Sequence, residues 1–256
     1  MKIIKKTITP LLVVLFVSAC SKYDPIEIDE NAWGYSFNQN QLSGSLAGLR
    51  DATESPNGIY FKMNVKVPSE RATAYILGYV DKDTGLFNIV NSNLNSRCSV
   101  ENYAQCSSYL ENGIENLNYY NGYLFGVEQS LNSETGVLER NLVQMDLDAT
   151  NRRMIKKIET TGDMFSILFH EGNVFYSGGS TNITKLDLRT GEAVVVNIEK
   201  SNGFNIINAI NNKLYFGTAT YYDGNDVHNY VLVEYDFDSK DFQIVHDQET
   251  FQFRDG

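Results

Sequence analysis

Short apolar runs separated by turn-forming residues dominate the chain, and residues 164–199 show the plan most clearly. The apolar runs there are Phe165–Phe169, Val174–Tyr176, Ile183–Leu188 and Ala193–Ile198, and Glu-Gly-Asn, Gly-Gly-Ser and Arg-Thr-Gly separate them. Short runs rich in β-branched and aromatic side chains, broken by Gly and Asn, are typical of strands joined by tight turns. The stretch therefore predicts one compact unit of four antiparallel strands.

The same plan recurs along the chain, and two landmarks define each copy. The first landmark is an aromatic-aliphatic strand that follows a turn, and the second is an Asp at the end of a later strand. The landmark pairs are Ile59 with Asp81, Leu124 with Asp146, Val174 with Asp187, and Leu214 with Asp236. The two landmarks are 22 residues apart in three copies and 13 apart in the remaining one. Four-stranded units repeated about every forty residues hide their faces against one another in a β-propeller. We therefore expect an all-β fold, a β-propeller of four-stranded antiparallel blades.

The four complete blades predicted from the repeats do not account for a closed ring. Phe251–Gly256 repeats the innermost strand of a blade and its turn, as Leu117–Gly122 and Ile167–Gly172 do, so the sequence predicts about four complete blades plus partial ones. Such an open arc leaves a strand edge unpaired, which natural sheets avoid. Either residues 30–56 complete a small ring, with Trp33–Phe37 as a candidate first strand, or the chain is a truncated product of a longer gene. The pattern favours truncation.

Residues 1–19 have the layout of an export signal. Three lysines within the first six residues precede the apolar run Leu11–Val17, which is too short to span a bilayer. Val17–Cys20 resembles the lipobox of bacterial lipoproteins, in which an aliphatic residue and two small residues precede a Cys. That resemblance implies cleavage before Cys20, lipidation of Cys20, and anchoring in the cell envelope, at the outer membrane or the outer face of the plasma membrane. The alternative is an ordinary secretory signal with a chance Cys.

The segment after the signal lacks apolar periodicity. Residues 21–30 contain Pro25 and five charged residues, a composition that favours an extended linker. We therefore expect residues 20–30 to be a lipidated tether and residues 31–256 to form the propeller domain.

Charge limits the range of partners. Loss of the signal removes three of 21 basic residues and none of 32 acidic residues, so the mature chain has 18 basic residues and a formal charge of −14. Nucleic acid and anionic lipid attract clustered Lys and Arg, so an acidic chain disfavours both. The expected partners are a membrane through the N-terminal lipid, and a small-molecule ligand or a membrane receptor protein.

The two remaining thiols, Cys98 and Cys106, enclose a short polar loop. In an oxidising compartment such a pair predicts a disulfide. A zinc site would need further ligands, and the chain offers no His-X-His or Cys-X-X-Cys pattern to supply them. A nucleophilic Cys is the less favoured alternative. We therefore expect no metal site.

Each landmark Asp is followed by turn-forming residues, as in Lys-Asp-Thr-Gly (82–85) and Leu-Arg-Thr-Gly (188–191). A side-chain oxygen that bonds nearby backbone N–H groups closes such turns. The resulting hairpin resembles the outer hairpin of PQQ-like bacterial propellers. The blade-docking Trp of the quinone enzymes is missing, so the resemblance implies no quinone, and we expect no cofactor. Residues 20–256 also resemble exported propeller lipoproteins of the DUF4374-like type, some of which accompany TonB-dependent receptors. This second resemblance implies capture of a nutrient or of chelated iron.

Three longer loops, residues 128–140, 178–181 and 219–229, are expected on the face opposite the short turns, where variable loops on a rigid scaffold bind ligands. The richest of them carries aromatic and carboxylate side chains together, although a solvated hairpin loop explains the same residues. A calcium site there would lack a full set of oxygen ligands. The candidate ligand-binding residues are Glu128, Arg140, Tyr221, Tyr222, Asp223, Asp226, His228 and Tyr230.

Catalysis has little support in the sequence. The three histidines show no metal spacing, His170 is expected in a solvated turn, and neither a Gly-x-Ser-x-Gly elbow nor a phosphate loop is present. We therefore predict no catalytic residues and a binding module that captures a ligand or docks on a receptor. The alternatives are a glycoside hydrolase or lyase, which would need two facing carboxylates about 5–10 Å apart, and a protein-protein scaffold with a flat apolar patch.

Overall fold

The computed structural model describes most of the repeated region. The described residues are 23–36, 51–66, 73–92, 98–99, 101–110, 113–132, 135–136, 138–158, 167–177, 182–198, 204–224 and 226–246. They form four antiparallel sheets of four strands each, and in every sheet the strands pair in chain order. The predicted β-propeller architecture is therefore confirmed.

The sheets are numbered as blades along the chain. Blade 1 contains β1 (Ala52–Glu54), β2 (Gly58–Lys66), β3 (Thr73–Asp81) and β4 (Phe87–Ile89). Blade 2 contains β5 (Glu115–Tyr120), β6 (Tyr123–Leu131), β7 (Leu138–Met145) and β8 (Arg153–Ile158). Blade 3 contains β9 (Ile167–His170), β10 (Asn173–Ser177), β11 (Asn182–Asp187) and β12 (Ala193–Asn197). Blade 4 contains β13 (Phe204–Ile210), β14 (Lys213–Asp223), β15 (Asp226–Asp236) and β16 (Phe242–His246).

Turn chemistry at the landmark Asp residues sets the outer hairpins. Asp187 Oδ1 accepts hydrogen bonds from the backbone N–H groups of Arg189 and Thr190, at 2.7 and 3.0 Å. The corresponding Asp81 Oδ1 accepts from the N–H of Thr84 at 2.8 Å. Hydrogen bonds from Thr84 lower the pKa of Asp81, because they stabilise the ionised carboxylate. The local turn pattern read from the sequence is thus present in the fold.

Each inner blade is dry on both faces because alternate side chains of a strand pack against different neighbours. In β6, Leu124 belongs to the cluster shared with blade 1, whereas Phe125 belongs to the cluster shared with blade 3. Both side chains are fully buried. The Phe125 ring lies 4.8 Å from that of Phe169, centroid to centroid, across the interface between blades 2 and 3. A further cluster, around Phe216 and Val233, joins blades 3 and 4.

The four sheets form an arc that does not close into a ring within the described residues. Blades 1 and 4 are the two ends of this arc. The end face of blade 1 is partly covered by residues 98–99 and 101–110, where Cys98 and Cys106 form a disulfide. Tyr103 and Tyr109 of this loop pack with Val65 and Ile76 of blade 1.

The N-terminal part of the chain differs from the expectation. Residues 30–36 form turns, whereas Trp33–Phe37 was a candidate strand; Phe37 lies outside the described residues. Gly34 adopts a positive φ of 83°, and the alternation of aromatic with small residues serves this compact turn. Residues 23–30 pack on the propeller, although the sequence predicted a tether.

Some predictions fall on residues that are not described. They concern the signal and Cys20 within 1–22, the loop 178–181, and the repeated strand within 251–256. Among the described residues, no helix has the length and hydropathy needed to cross a membrane.

Candidate functional site

The two faces of the propeller differ sharply. On one face lie the tight turns that join the first to the second strand and the third to the fourth strand of each blade. On the other face, the hairpins β2–β3, β6–β7 and β14–β15 extend as three arms. The strands of the blade 4 arm have 11 residues each, whereas β10 and β11 of blade 3 have five and six. At about 3.4 Å per residue, an excess of five or six residues raises that arm by roughly 20 Å above blade 3. The described strands of blade 3 are thus much shorter than those of the arms on either side, and we call the space between the arms of blades 2 and 4 the gap above blade 3.

The blade 4 arm carries six of the candidate residues. Residues 219–229 were expected to form a loop, but β14 continues to Asp223 and β15 begins at Asp226, and Tyr221 pairs with His228. Only the tip needs turn geometry, and Gly224 supplies a φ of +65° there. The Thr, Tyr and Val residues of this stretch favour strands, so the ladder continues where the polar composition had indicated a loop. The structure thus brings the six candidates onto one two-stranded ribbon.

The blade 2 arm carries the other two candidates, Glu128 and Arg140. Residues 128–140 were also expected to form a loop, but β6 and β7 pair from Leu124 opposite Met145 to Leu131 opposite Leu138. The polar residues of this stretch therefore belong to a strand ladder, although they form no apolar stripe.

Strand alternation places Glu128 and Arg140 on opposite faces of the blade 2 arm. Glu128 shares the face of Leu124, toward blade 1, and Arg140 shares the face of Leu142, toward blade 3. The two candidates therefore do not form one site. Arg140 borders the gap above blade 3.

Glu128 makes contacts that hold the disulfide loop to the arm. Its Oε1 lies 3.0 Å from Nη1 of Arg152, and Nη2 of Arg152 donates to the carbonyl oxygen of Tyr109 at 3.1 Å. Burial raises the pKa of Glu128, and the Arg152 charge partly offsets this rise. Glu128 therefore supports the fold.

The opposite face is crossed by an N-terminal segment that the sequence did not predict to be docked. We call residues 23–36 the strap. Tyr23 Oη donates to the carbonyl oxygen of Leu188 at 2.8 Å, and the N–H of Ile26 donates to the same oxygen at 3.0 Å. Ile26 is only 3% exposed and belongs to the cluster between blades 2 and 3. The apolar residues Tyr23, Ile26 and Ile28 were the available signal, but their spacing fits neither a helix nor a regular strand.

The strap runs from the rim toward the centre of the arc and is fixed along its length. The Asn121 side chain accepts from the N–H of Asp29 at 3.0 Å and donates to its carbonyl oxygen at 2.8 Å. The Trp33 ring lies 5.5 Å from that of Tyr119, centroid to centroid. Lys82 Nζ lies 5.8 Å from the centre of the Trp33 ring and 2.5 Å from Glu54 Oε1. The strap therefore bridges blades 1, 2 and 3.

Tyr120 connects the strap to the buried interface between blades 2 and 3. Its hydroxyl accepts from the N–H of Gly172 at 2.6 Å and donates to the carbonyl oxygen of Tyr35 at 3.2 Å. The side chain is fully buried. Burial raises the pKa of Tyr120 far above its ordinary value, because an ionised phenolate would lose its hydration there. The hydroxyl is therefore a neutral structural link.

Among the described residues, no group of three or more His, Cys, Asp or Glu side chains could hold a metal ion. His170 was expected in a solvated turn, but its side chain is buried at the end of β9. Burial lowers the pKa of His170, and Glu171, whose Oε1 lies 3.7 Å from Nε2, opposes that change. His170 belongs to the inner strand because the turn begins one residue later, at Glu171.

Comparisons with known proteins show no family for this chain. No family model matches the chain, and no curated protein matches it. Among solved structures, the chain is similar to TolB from Acinetobacter baumannii, with 14% identity and a TM-score of 0.43 over 82% of this chain and 46% of TolB. It is also similar to the tricorn protease, with 11% identity and a TM-score of 0.26 over 76% of this chain and 25% of that protein. The chain spans less than half of the length of either protein.

Proposed function

We propose that this chain is an exported, lipid-anchored β-propeller that acts as a binding module and holds a ligand or a receptor protein with its arms. The observation that supports the proposal best is the asymmetry of the two faces. Three long hairpins stand on one face, whereas tight turns and the strap cover much of the other. Variable extensions on a rigid scaffold are where binding residues concentrate.

The composition of the tallest arm supports binding. Residues 221–230 include three tyrosines, two aspartates and one histidine. Aromatic side chains give large contact areas at low conformational entropy, and carboxylates add hydrogen-bond acceptors. Arg140 borders the same gap from the blade 2 side. The DUF4374-like resemblance implies that the ligand is a nutrient or chelated iron, which would bind between these arms.

A protein partner is the second candidate, and one exposed side chain favours it. Leu131 at the end of β6, near the tip of the blade 2 arm, is 68% exposed. An exposed apolar residue near the tip of an arm is a suitable anchor for docking on a membrane receptor.

Site-specific photocrosslinking in cells that express the full chain tests the binding face. A photoreactive amino acid replaces Gln129 or Thr220 on the arms, and Asp83 or Asp148 in the tight turns serves as the matched control. Crosslinked products from the arm positions alone are expected. Equal crosslinking from arms and turns would contradict the proposal.

The lipid anchor has a separate test. Cys20→Ser should abolish incorporation of labelled palmitate and release the protein from the membrane fraction, whereas Ser21→Ala should do neither. Membrane association that survives Cys20→Ser would refute the anchor.

A further inference from the structure

The strap begins at a corner of the molecule where the outermost strands of blades 2 and 3 both start. The Tyr23 ring packs directly over Gly191, in the turn before β12, so that a Cβ at Gly191 would overlap the ring. The next residue, Asp24, forms an ion pair with Arg153 at the start of β8. Two consecutive strap residues thus bridge the two outer strands and fix the position of Tyr23, the first described residue of the chain.

Exposed apolar side chains lie beside these residues. Met154, the second residue of β8, is 62% exposed, and Val194 and Val195, the second and third residues of β12, are 55% and 61% exposed. Single exposed apolar residues are common on protein surfaces. Here, however, those of two neighbouring blades lie next to the residues that the strap joins. We call residues 23–24, 153–154 and 191–195 the exit corner.

The covalent distance from the exit corner to the proposed lipid is short. Three peptide units separate Cys20 from Tyr23, and at no more than about 3.6 Å each they span about 11 Å at most. Because the acyl chains of Cys20 would lie within the bilayer, the exit corner would remain close to the lipid headgroups. This step rests on the proposed lipidation of Cys20.

The exit corner carries little net charge. Its charged residues are Asp24 and Arg153, which form an ion pair, and Glu192. The exposed side chains of Met154, Val194 and Val195 beside them are apolar. The corner would therefore meet less repulsion at an anionic membrane surface than the strongly acidic remainder of the chain.

We propose that the strap fixes the orientation of the propeller on the membrane, with the exit corner against the lipid surface and the arms directed away from it. β6 runs for nine residues from the tight-turn face to the tip of its arm, which is about 30 Å at 3.4 Å per residue. The arm tips therefore lie well outside the headgroup layer. Because only three peptide units link Cys20 to Tyr23, the propeller would be held in one orientation, whereas a flexible tether of residues 20–30 would let it rotate freely.

Lipid-depth quenching tests this orientation. The lipidated protein is purified from membranes and reconstituted in vesicles of phosphatidylethanolamine and phosphatidylglycerol. Met154→Cys and Leu131→Cys each receive a fluorescent label, which is unique because Cys98 and Cys106 are bonded to each other and Cys20 is acylated. Spin-labelled lipids should quench the label at 154 severalfold more than the label at 131. Equal quenching would overturn the orientation.

An insertion provides the matched control. Five Gly and Ser residues placed between Lys22 and Tyr23 lengthen the reach by up to about 18 Å without touching the fold. Quenching at position 154 should then fall toward the level at position 131 while labelled palmitate is still incorporated. Quenching that does not fall would overturn a role for the short reach.

The outcomes separate this proposal from the one on which it rests. Absence of palmitate at Cys20 would overturn the anchor and the orientation together, whereas acylated protein with equal quenching would overturn the orientation alone. The label at position 154 is also measured in detergent, without vesicles. If a water-soluble quencher reaches it less well as the protein concentration rises, a second copy of the chain covers the exit corner, and the proposal is also overturned.

Discussion

Replacing Tyr120 with Phe removes a single oxygen atom at the point where blade 2, blade 3 and the strap meet. The ring of Tyr120 packs at 5.2 Å from that of Phe169, centroid to centroid, and Phe can keep this packing. What is lost is the acceptor for the Gly172 N–H and the donor to the Tyr35 carbonyl oxygen. The substitution therefore leaves two backbone groups without these partners and creates only a small space.

The expected cost follows from the burial of those groups. The bond from Gly172 is buried, and a buried donor that loses its acceptor costs about 1–3 kcal/mol in the free energy of unfolding. With a urea m-value near 3 kcal/mol/M, the upper end for small proteins, the unfolding midpoint should fall by about 0.3–1 M. The strap should also detach more often, because the bond to Tyr35 is one of its attachments.

Urea unfolding of the soluble Cys20→Ser protein measures the first effect, and hydrogen exchange of residues 23–36 measures the second. Tyr123→Phe is the matched control: within the described chain no hydrogen bond is found for its hydroxyl, although its ring borders the same cluster. The control should leave both quantities nearly unchanged. Equal midpoints for Tyr120→Phe and Tyr123→Phe, or equal exchange in the strap, would refute the reasoning.

Three further changes have defined outcomes. Burial raises the pKa of Tyr60 from 10.0 to about 12. Below pH 10 the hydroxyl keeps its proton in both the folded and the unfolded chain, but between pH 10 and 12 only the unfolded chain loses it, so the free energy of unfolding should fall across that window. Urea titrations at several pH values should show that Tyr60→Phe removes about 2–3 kcal/mol of this fall. Replacing Cys98 and Cys106 together with Ser opens a loop with a sequence separation of 8, and calorimetry should show a loss of about 2–3 kcal/mol, whereas an unchanged melting temperature would contradict the loop-entropy argument. Gly191 and Gly85 occupy equivalent turns, with φ of 74° and 68°. Ala at either position should cost about 1–2 kcal/mol of local backbone strain. Only Gly191→Ala should also accelerate proteolysis of the strap, because its Cβ would overlap the Tyr23 ring, whereas a Cβ at Gly85 would face open space.

The blade plan could be predicted because its signals are local. Val174 and Asp187 belong to a strand pattern and a turn pattern that each need only a few neighbouring residues, and three of the four copies keep the same spacing. The inner strand of His170 was placed one residue too short because Glu171, not His170, adopts the positive φ of the turn.

The arms and the strap could not be read in the same way. The outer part of each arm is mostly polar in sequence, so the residues around Thr220 and Gln129 show no alternation of apolar and polar residues that would distinguish a strand from a loop. Docking of the strap depends on a groove between blades 2 and 3, which forms only when residues far apart in sequence meet. Ile26 lies 162 positions from Leu188, whose carbonyl oxygen accepts its hydrogen bond.

The low hairpin of blade 3 has a consequence for the shape of any partner. If all four described blades had equally long hairpins, the arms would form a continuous wall along the arc. The short strands of blade 3 instead leave an opening between the longer hairpins of blades 2 and 4. An elongated partner, such as an extended peptide or a flexible oligomer, can slide in laterally and leave without being threaded through the middle.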